Sequence, residues 1–453
     1  MAVLFFRHAL LPDGWARNLR MLTQAGTIVS LEPDASPMPG DERHELGLPG
    51  MPNLHSHAFQ RAMAGLTEVR GPASDNFWTW RDVMYRFVGV LGPEDVQAIA
   101  AQLFVEMLES GFTRVGEFHY LHHDPAGAPY ANLGEMAERI AAAAQDTQIG
   151  LTLLPAFYAH SGFGGREPEP GQRRFVNDVD GFARLMDASR AAVAGIDGAV
   201  IGVAPHSLRA VTPEELARVV PMADGGPVHI HVAEQTREVD DCLAWSGARP
   251  LSWLLDNAAV DHRWCIVHAT HATPVEIDRM ARRGAVAGLC PVTEADLGDG
   301  TFAAPEFIAA GGRYGVGSDS NVRVGVADEL RQLEYSQRLS RRERNVVALT
   351  EGRSTGRALY DGACRGGSQA LGSAAAGLAA GAEADIVSLD ISHEAFAGRS
   401  GDAVLDAWIF SAPADVVDCV WRRGRKVVAG GRHAGRDAVT ARFRRTMERL
   451  LAR

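Results

Sequence analysis

The chain has 453 residues, 46% of them hydrophobic and 22% charged, with a formal net charge of −11. That is more than one ordinary domain requires, and it supplies enough apolar material for a large core. The acidic residues are spread along the chain and no basic stripe occurs, which argues against a nucleic-acid or anionic-membrane partner. No apolar run is long enough to span a bilayer, and the first residues are too interrupted for a secretory leader. Five scattered cysteines without a CxxC pair suit reduced thiols, so a cytoplasmic location is expected.

Residues 1–47 alternate short apolar runs with turn residues (AVLFFRHALL, PDG, NLRMLTQ, AG, TIVSLEP), the pattern of small antiparallel strands. The same texture returns in EADIVSLD, VVDCVWRRG and RKVVAG near the other end. We therefore expect a small β-sandwich domain built from both chain ends, residues 1–47 plus 376–435, and a C-terminal helix over 436–453. Between them, over 48–375, eight strand-like stretches alternate with helix-like ones: LPGMPNLH, TRVGEFHY, IGLTLLPAFY, AVIGVAPHS, VHIHVAE, WCIVHAT, AVAGLCP and YGVGSDS. Near-continuous apolar runs of this kind suit parallel strands buried on both faces. The predicted fold is α/β, a (β/α)₈ TIM-type barrel.

The intervening helices carry their own punctuation. Thr212-Pro213-Glu214-Glu215 and Thr273-Pro274-Val275-Glu276 each place Thr at the N-cap, Pro at the first helical position and Glu at the third, and the second helix should stop at Gly284. Val96, Ile99, Ala100, Leu103, Phe104, Met107 and Leu108 form one apolar helical face and read as core.

The strand ends carry the chemistry. His55 and His57, Tyr120, His206, His231, His268, Cys290 and Asp319 each finish an apolar run. In a barrel those ends converge on one mouth, where residues far apart in sequence meet. His55 and His57, two apart on a strand, share a face and can reach one ion. A bare HxH is weak evidence, but His229-Ile230-His231 with Glu234, then His268, then Asp319 follow in order. Imidazoles with one carboxylate suit zinc or Fe(II) with a position left for solvent.

This set resembles the amidohydrolase superfamily, in its branch acting on amidines and heterocyclic amines, over essentially the whole chain. The resemblance implies His55, His57, His231 and Asp319 as ligands of one divalent ion, zinc favoured and Fe(II) also suited. The resemblance, not the spacing, selects His231 over His229, which reads as an inward packing residue. A metal-bridging carbamylated lysine would need a lysine, and the chain has only Lys426, near its C-terminus, so one ion is expected. Asp319 would then accept a proton from the attacking water, His268 would stabilise developing charge, and Glu234 would move a proton to the leaving nitrogen.

Within that branch the chain resembles the deiminases of N-formimino-L-glutamate. The matching stretches are Pro49–Met63, Phe77–Arg81, Gly116–Tyr120, Ala204–Arg209 and Cys290–Gly300, with Val292 and Asp296 departing from the family's usual Thr and Asn. The implied reaction is hydrolysis to N-formyl-L-glutamate and ammonia in histidine degradation, with a homodimer as the implied assembly. A small-molecule dicarboxylate calls for planar guanidinium forks. Arg209 and Arg81 are the candidates, with Gln60, Tyr120 and His206 adding hydrogen bonds. The alternative is another aminohydrolase of the superfamily, of guanine, adenosine or cytosine type, which has less need of paired arginines. His119, His122 and His123 read as structural.

Overall fold

The computed structural model describes residues 2–71, 75–373 and 377–452, so the domain boundary expected at 375/376 lies outside the described residues. Four strands open the chain: β1 (Ala2–Leu11), β2 (Gly14–Gln24), β3 (Thr27–Glu32) and β4 (Glu42–Pro49). β1 pairs antiparallel with β2 and parallel with β4.

After Gly50 the chain enters a run of parallel strands: β5 (Met51–Ser56), β6 (Phe112–His119), β7 (Gly150–Phe157), β8 (Val200–Ile201), β9 (Ala204–Pro205), β10 (Val228–Val232), β11 (Trp264–His268), β12 (Val286–Leu289) and β13 (Arg313–Val316). β5 to β8 form one sheet, with β9 on β7, and β10 to β13 a second. Backbone hydrogen bonds join the sheets at both margins. His229 N donates to Val203 O (3.0 Å) and His231 N to His206 O (3.1 Å) on one side; His57 N donates to Asp319 O (3.0 Å) and Asp319 N to His55 O (3.0 Å) on the other. All eight expected strands are present, the fourth divided into β8 and β9. Every residue of β5, β6, β7, β10 and β11 is buried, which is why their sequences show no polar alternation.

Local choices agree with this architecture. A Cβ on Gly317 would lie 2.7 Å from both the N and the O of His55, so only glycine lets the extension of β13 lie against β5. The two threonine N-caps form reciprocal capping boxes, and the second helix, Pro274–Arg283, ends at Gly284 with φ +73°. The apolar face predicted from Val96 to Leu108 is buried along helix Pro93–Glu109, each large side chain contributing roughly 1.5–3 kcal/mol.

The chain returns in β14 (Ile386–Leu389), β15 (Val417–Arg422), β16 (Arg425–Ala429) and β17 (Arg432–His433). Expected as a sandwich, the terminal strands hydrogen-bond in one eight-stranded path, β17-β16-β15-β14-β4-β1-β2-β3. Residues of both halves, among them Phe6, Met21, Ile386 and Trp421, share one apolar cluster. A part-buried ion network ties this sheet to the parallel strands. Glu383 meets Arg114 of β6 (3.2 Å), Arg422 of β15 (3.3 Å) and Arg423 (2.7 Å), and Arg422 also meets Asp385 (2.7 Å). The single lysine, Lys426, lies on β16, paired with Glu42 and over the Trp421 ring. Helix Arg436–Leu451 packs against helix Pro93–Glu109 through Arg436–Glu109 and Arg449–Asp95. Among the described residues no helix is long and apolar enough to cross a membrane.

Candidate active site

Side chains from the ends of separate strands meet. One donor atom from each of His55, His57, His231 and Asp319 lies within 4.8 Å of all the others, and the four residues are buried. Asp319 Oδ1 is 3.5 Å from His55 Nε2 and 3.3 Å from His57 Nε2; His231 Nε2 is 3.0 Å from His55 Nε2. His57 Nδ1 donates to Phe118 O and His231 Nδ1 to His206 O, each at 2.9 Å, leaving both Nε2 lone pairs turned to the centre. Burial lowers the basicity of all three rings, with His55 brought to about 3, so they stand neutral at pH 7. Burial opposes ionisation of Asp319, but the close approach of His55 Nε2 and the charge of His268 hold it below its ordinary value. Three neutral nitrogens and one anionic oxygen converging on a point fit one divalent cation. His229 turns elsewhere, its Nε2 donating to Ala370 O at 2.7 Å, as expected of a packing residue.

Two further groups flank this centre. His268 stacks on His231 at 5.6 Å between ring centroids, with Nε2 3.7 Å from Asp319 Oδ2 and Nδ1 3.3 Å from Glu294 Oε1. Its burial disfavours charge, yet Glu234, Glu294 and Asp319 together raise it to about 10. Glu234 Oε1 lies 3.8 Å from His268 Nε2, and Oε2 is 4.0 Å from Arg209. Burial pushes the Glu234 carboxyl up to about 7, against the pull of His268 and Arg209. Glu238 holds the turn behind it, accepting from the amides of Ala233 and Glu234 at 3.1 Å each.

These residues open into a cavity lined by polar and aromatic side chains. Its walls include every substrate-contact candidate: Gln60, Arg81, Tyr120, His206 and Arg209. Gln60 Nε2 donates to Tyr120 Oη at 2.8 Å, and its Oε1 has no partner. Arg81 lies over Trp78 (4.7 Å) and Tyr85 (5.2 Å), and Arg209 over Trp78 (5.6 Å). Both guanidiniums keep a buried Nε–H without a hydrogen-bond partner. Arg81 also lies 3.7 Å from Glu169 and Arg209 4.0 Å from Glu234, and guanidiniums with spare donors beside one cavity are suited to anionic oxygens.

Sequence reasoning missed part of the wall: Phe77, Trp80, Met84, Tyr85, Tyr158, Phe175, Thr293, Leu297 and Ser320. Tyr158 follows β7 directly and was visible as another polar strand end. Tyr85 sits four residues after Arg81 on helix Phe77–Val88, one turn along the same face. Of the three histidines expected to be structural, His122 and His123 bond Ala156 O and Val176 O at 2.9 Å each, whereas His119 is buried with no hydrogen-bond partner for its Nε2.

Residues 47–427 match the model of the amidohydrolase family, and residues 1–45 match the N-terminal domain of formimidoylglutamate deiminase HutF. The chain belongs to the amidohydrolase family, in its formimidoylglutamate deiminase group, and that family is metal-dependent. It is 52% identical to the formimidoylglutamate deiminase of Pseudomonas aeruginosa, with 100% of each chain covered. An amidohydrolase structure from Brucella melitensis is 58% identical, with a TM-score of 0.97 and 100% of both chains covered. An adenosine deaminase from Xanthomonas campestris, solved with bound zinc, shares the fold at 21% identity, with a TM-score of 0.83 and coverage of 100% of this chain and 99% of that one.

Proposed function

We propose that the protein hydrolyses N-formimino-L-glutamate to N-formyl-L-glutamate and ammonia, one water entering for each ammonia released, as a step of histidine degradation. The observation that carries the substrate is the pair of guanidiniums lining the cavity, buried Arg209 and part-buried Arg81, each with a buried Nε–H free of a hydrogen-bond partner. A nucleobase has no carboxylate to occupy them. The full-length similarity to a formimidoylglutamate deiminase supports the same reading.

His55, His57, His231 and Asp319 hold one divalent ion in this reading, zinc favoured and Fe(II) also suited to the donors. When bound, such an ion supplies the Lewis acidity that brings a water toward ionisation near neutral pH. Asp319 takes the proton of the attacking water, and His268 Nε2 donates to the oxygen as charge develops on it. Glu234, poised near neutrality, passes a proton to the leaving nitrogen, which departs as ammonia rather than as an amide anion. Arg209 and Arg81 bind the two carboxylates, and Gln60, Tyr120 and His206 orient the formimino end.

The margin hydrogen bonds support a closed (β/α)₈ barrel over 48–375, and the shared apolar cluster supports a small β-sandwich domain from 1–47 plus 376–435, with a C-terminal helix over 436–453. A cytoplasmic homodimer completes the reading, on family resemblance. The test is to supply N-formimino-L-glutamate, follow ammonia, and identify the organic product. N-formyl-L-glutamate is expected; formamide with glutamate would mean cleavage of the other C–N bond and overturn the assignment.

A further inference from the structure

We infer that a second divalent cation of borderline or soft character, such as cadmium or excess zinc, binds between Cys290, His268 and Asp319 and shuts the site down. The inference rests on the one-ion reading above, because the two positions share Asp319. One donor atom from each of the three residues lies within 4.8 Å of the others, and all three residues are buried.

The shared carboxylate makes this possible. Asp319 Oδ1 faces His55 and His57 at 3.5 and 3.3 Å, while Oδ2 faces His268 Nε2 at 3.7 Å. Each oxygen thus serves a different side, and the carboxylate is itself the bridge, so no lysine is required. β11, β12 and β13 are hydrogen-bonded neighbours, and the residues at or just beyond their ends present nitrogen, sulfur and oxygen in turn. A sulfur ligand favours zinc and cadmium over magnesium or calcium, which prefer oxygen.

Burial keeps the Cys290 thiol protonated when no cation is near. Binding therefore releases two protons to solvent, one from the Cys290 S–H and one from the His268 Nε2–H, as the sulfur–metal and nitrogen–metal bonds form. The other mixed cluster, His44, Asp418 and Cys419, is a poorer trap: Lys426 sits beside it and already pairs with Glu42, the neighbour of His44.

Occupation consumes His268 Nε2, the atom that faces both Asp319 and Glu234. Loss of one such polar catalytic group costs about 10²-fold or more in rate.

The experiment starts from protein carrying one equivalent of zinc and titrates cadmium chloride, reading the ultraviolet thiolate-to-cadmium charge-transfer band together with ammonia release. We expect a band that saturates at one further equivalent while activity falls about 10²-fold in step. Cys290→Ala and Cys290→Val should each lose that band and resist the inhibition relative to their own starting rates, whereas Cys265→Ser and Cys419→Ala should keep both. Cadmium exchanging into the first position gives no band, since no sulfur lies in that set. A wild-type protein without the band, or inhibition that persists in both Cys290 variants, overturns the inference. If the protein holds no stoichiometric ion even before cadmium, the one-ion reading falls as well; if it holds one and accepts no second, only this inference falls.

Discussion

Replacing Arg209 by methionine is the sharpest test of what the cavity reads. Methionine keeps an unbranched stem in the same buried wall and removes only the fork. Each hydrogen bond to a charged group contributes about 1.5–3 kcal/mol, and a bidentate carboxylate contact makes two. After allowance for the neighbouring Arg81, the loss should be about 3–4 kcal/mol, or about 10²–10³-fold in kcat/KM. Most of it should fall in KM, because a remote carboxylate is held equally in the ground and transition states. A second effect follows from position: Arg209 is one of the groups holding the Glu234 carboxyl down, so its removal should shift the Glu234-dependent limb of the kcat profile to higher pH. Steady-state ammonia release across a pH series measures both. A KM within about threefold of the wild type would show that Arg209 does not bind a carboxylate, and would return the nucleobase-type alternative to contention.

Asp319→Asn should leave the three histidines without their anionic partner, so that dialysed protein retains less than one ion per chain by elemental analysis where the wild type keeps it. Chelation of the wild type should lower its melting temperature, since a ligand present at about 1,000 times its Kd stabilises the fold by about 4 kcal/mol. Glu383→Gln leaves Arg114 and Arg422 buried beside each other and should destabilise the protein by about 3 kcal/mol in urea unfolding; a loss below about 0.5 kcal/mol would mean the network does not tie the terminal sheet to the parallel strands. Burial pushes the Glu117 carboxyl up to about 8, so the folded chain keeps a proton that the unfolded chain releases near 4.5. Stability should therefore fall as pH rises from about 4.5 to about 8, by up to about 4 kcal/mol, and Glu117→Gln should flatten that slope in urea titrations.

Much of this site was legible because its chemistry is concentrated in residue types that rarely end apolar strands by chance. His55, His57, His231, His268 and Asp319 each announce themselves at the close of a buried run. The parallel strands betray themselves in the same way, since burial on both faces removes polar alternation. Apart from Tyr158, which closes a strand, what escaped had no local signature. Tyr85 and Met84 line the cavity only because helix Phe77–Val88 lies across its mouth, and the crossing angle of a helix is a tertiary property. Glu294, which meets His268 Nδ1, reads in sequence as an ordinary carboxylate in the first turn of a short helix. The choice of His231 over His229 likewise needed the resemblance, because residues two apart on a strand share a face, and only the carbonyl that each ring meets separates ligand from filler.

The backbone carries a part of the design that residue identities do not reveal. Ala233, His268, Ala269, Asp319 and Asn321 all have φ between +45° and +66°, a region that costs a non-glycine residue about 1–3 kcal/mol. They cluster where β10, β11 and β13 give out, at the turns that aim Glu234, His268 and Asp319. Such strain persists only where its surroundings fix it, and here they do. Asn321 Nδ2 donates to Asp319 O (2.8 Å), His57 O (3.1 Å) and Ser56 Oγ (3.2 Å), while Ser318 Oγ donates to Asn321 Oδ1 (2.6 Å). Asn53 Nδ2 donates in turn to Ser318 Oγ (2.6 Å). One buried carboxamide thus spans the seam between the strand that carries two histidines and the turn that carries the aspartate. The candidate ligand residues converge because that seam is clamped, and the clamp consists of small polar residues whose sequence signal is no different from that of any loop.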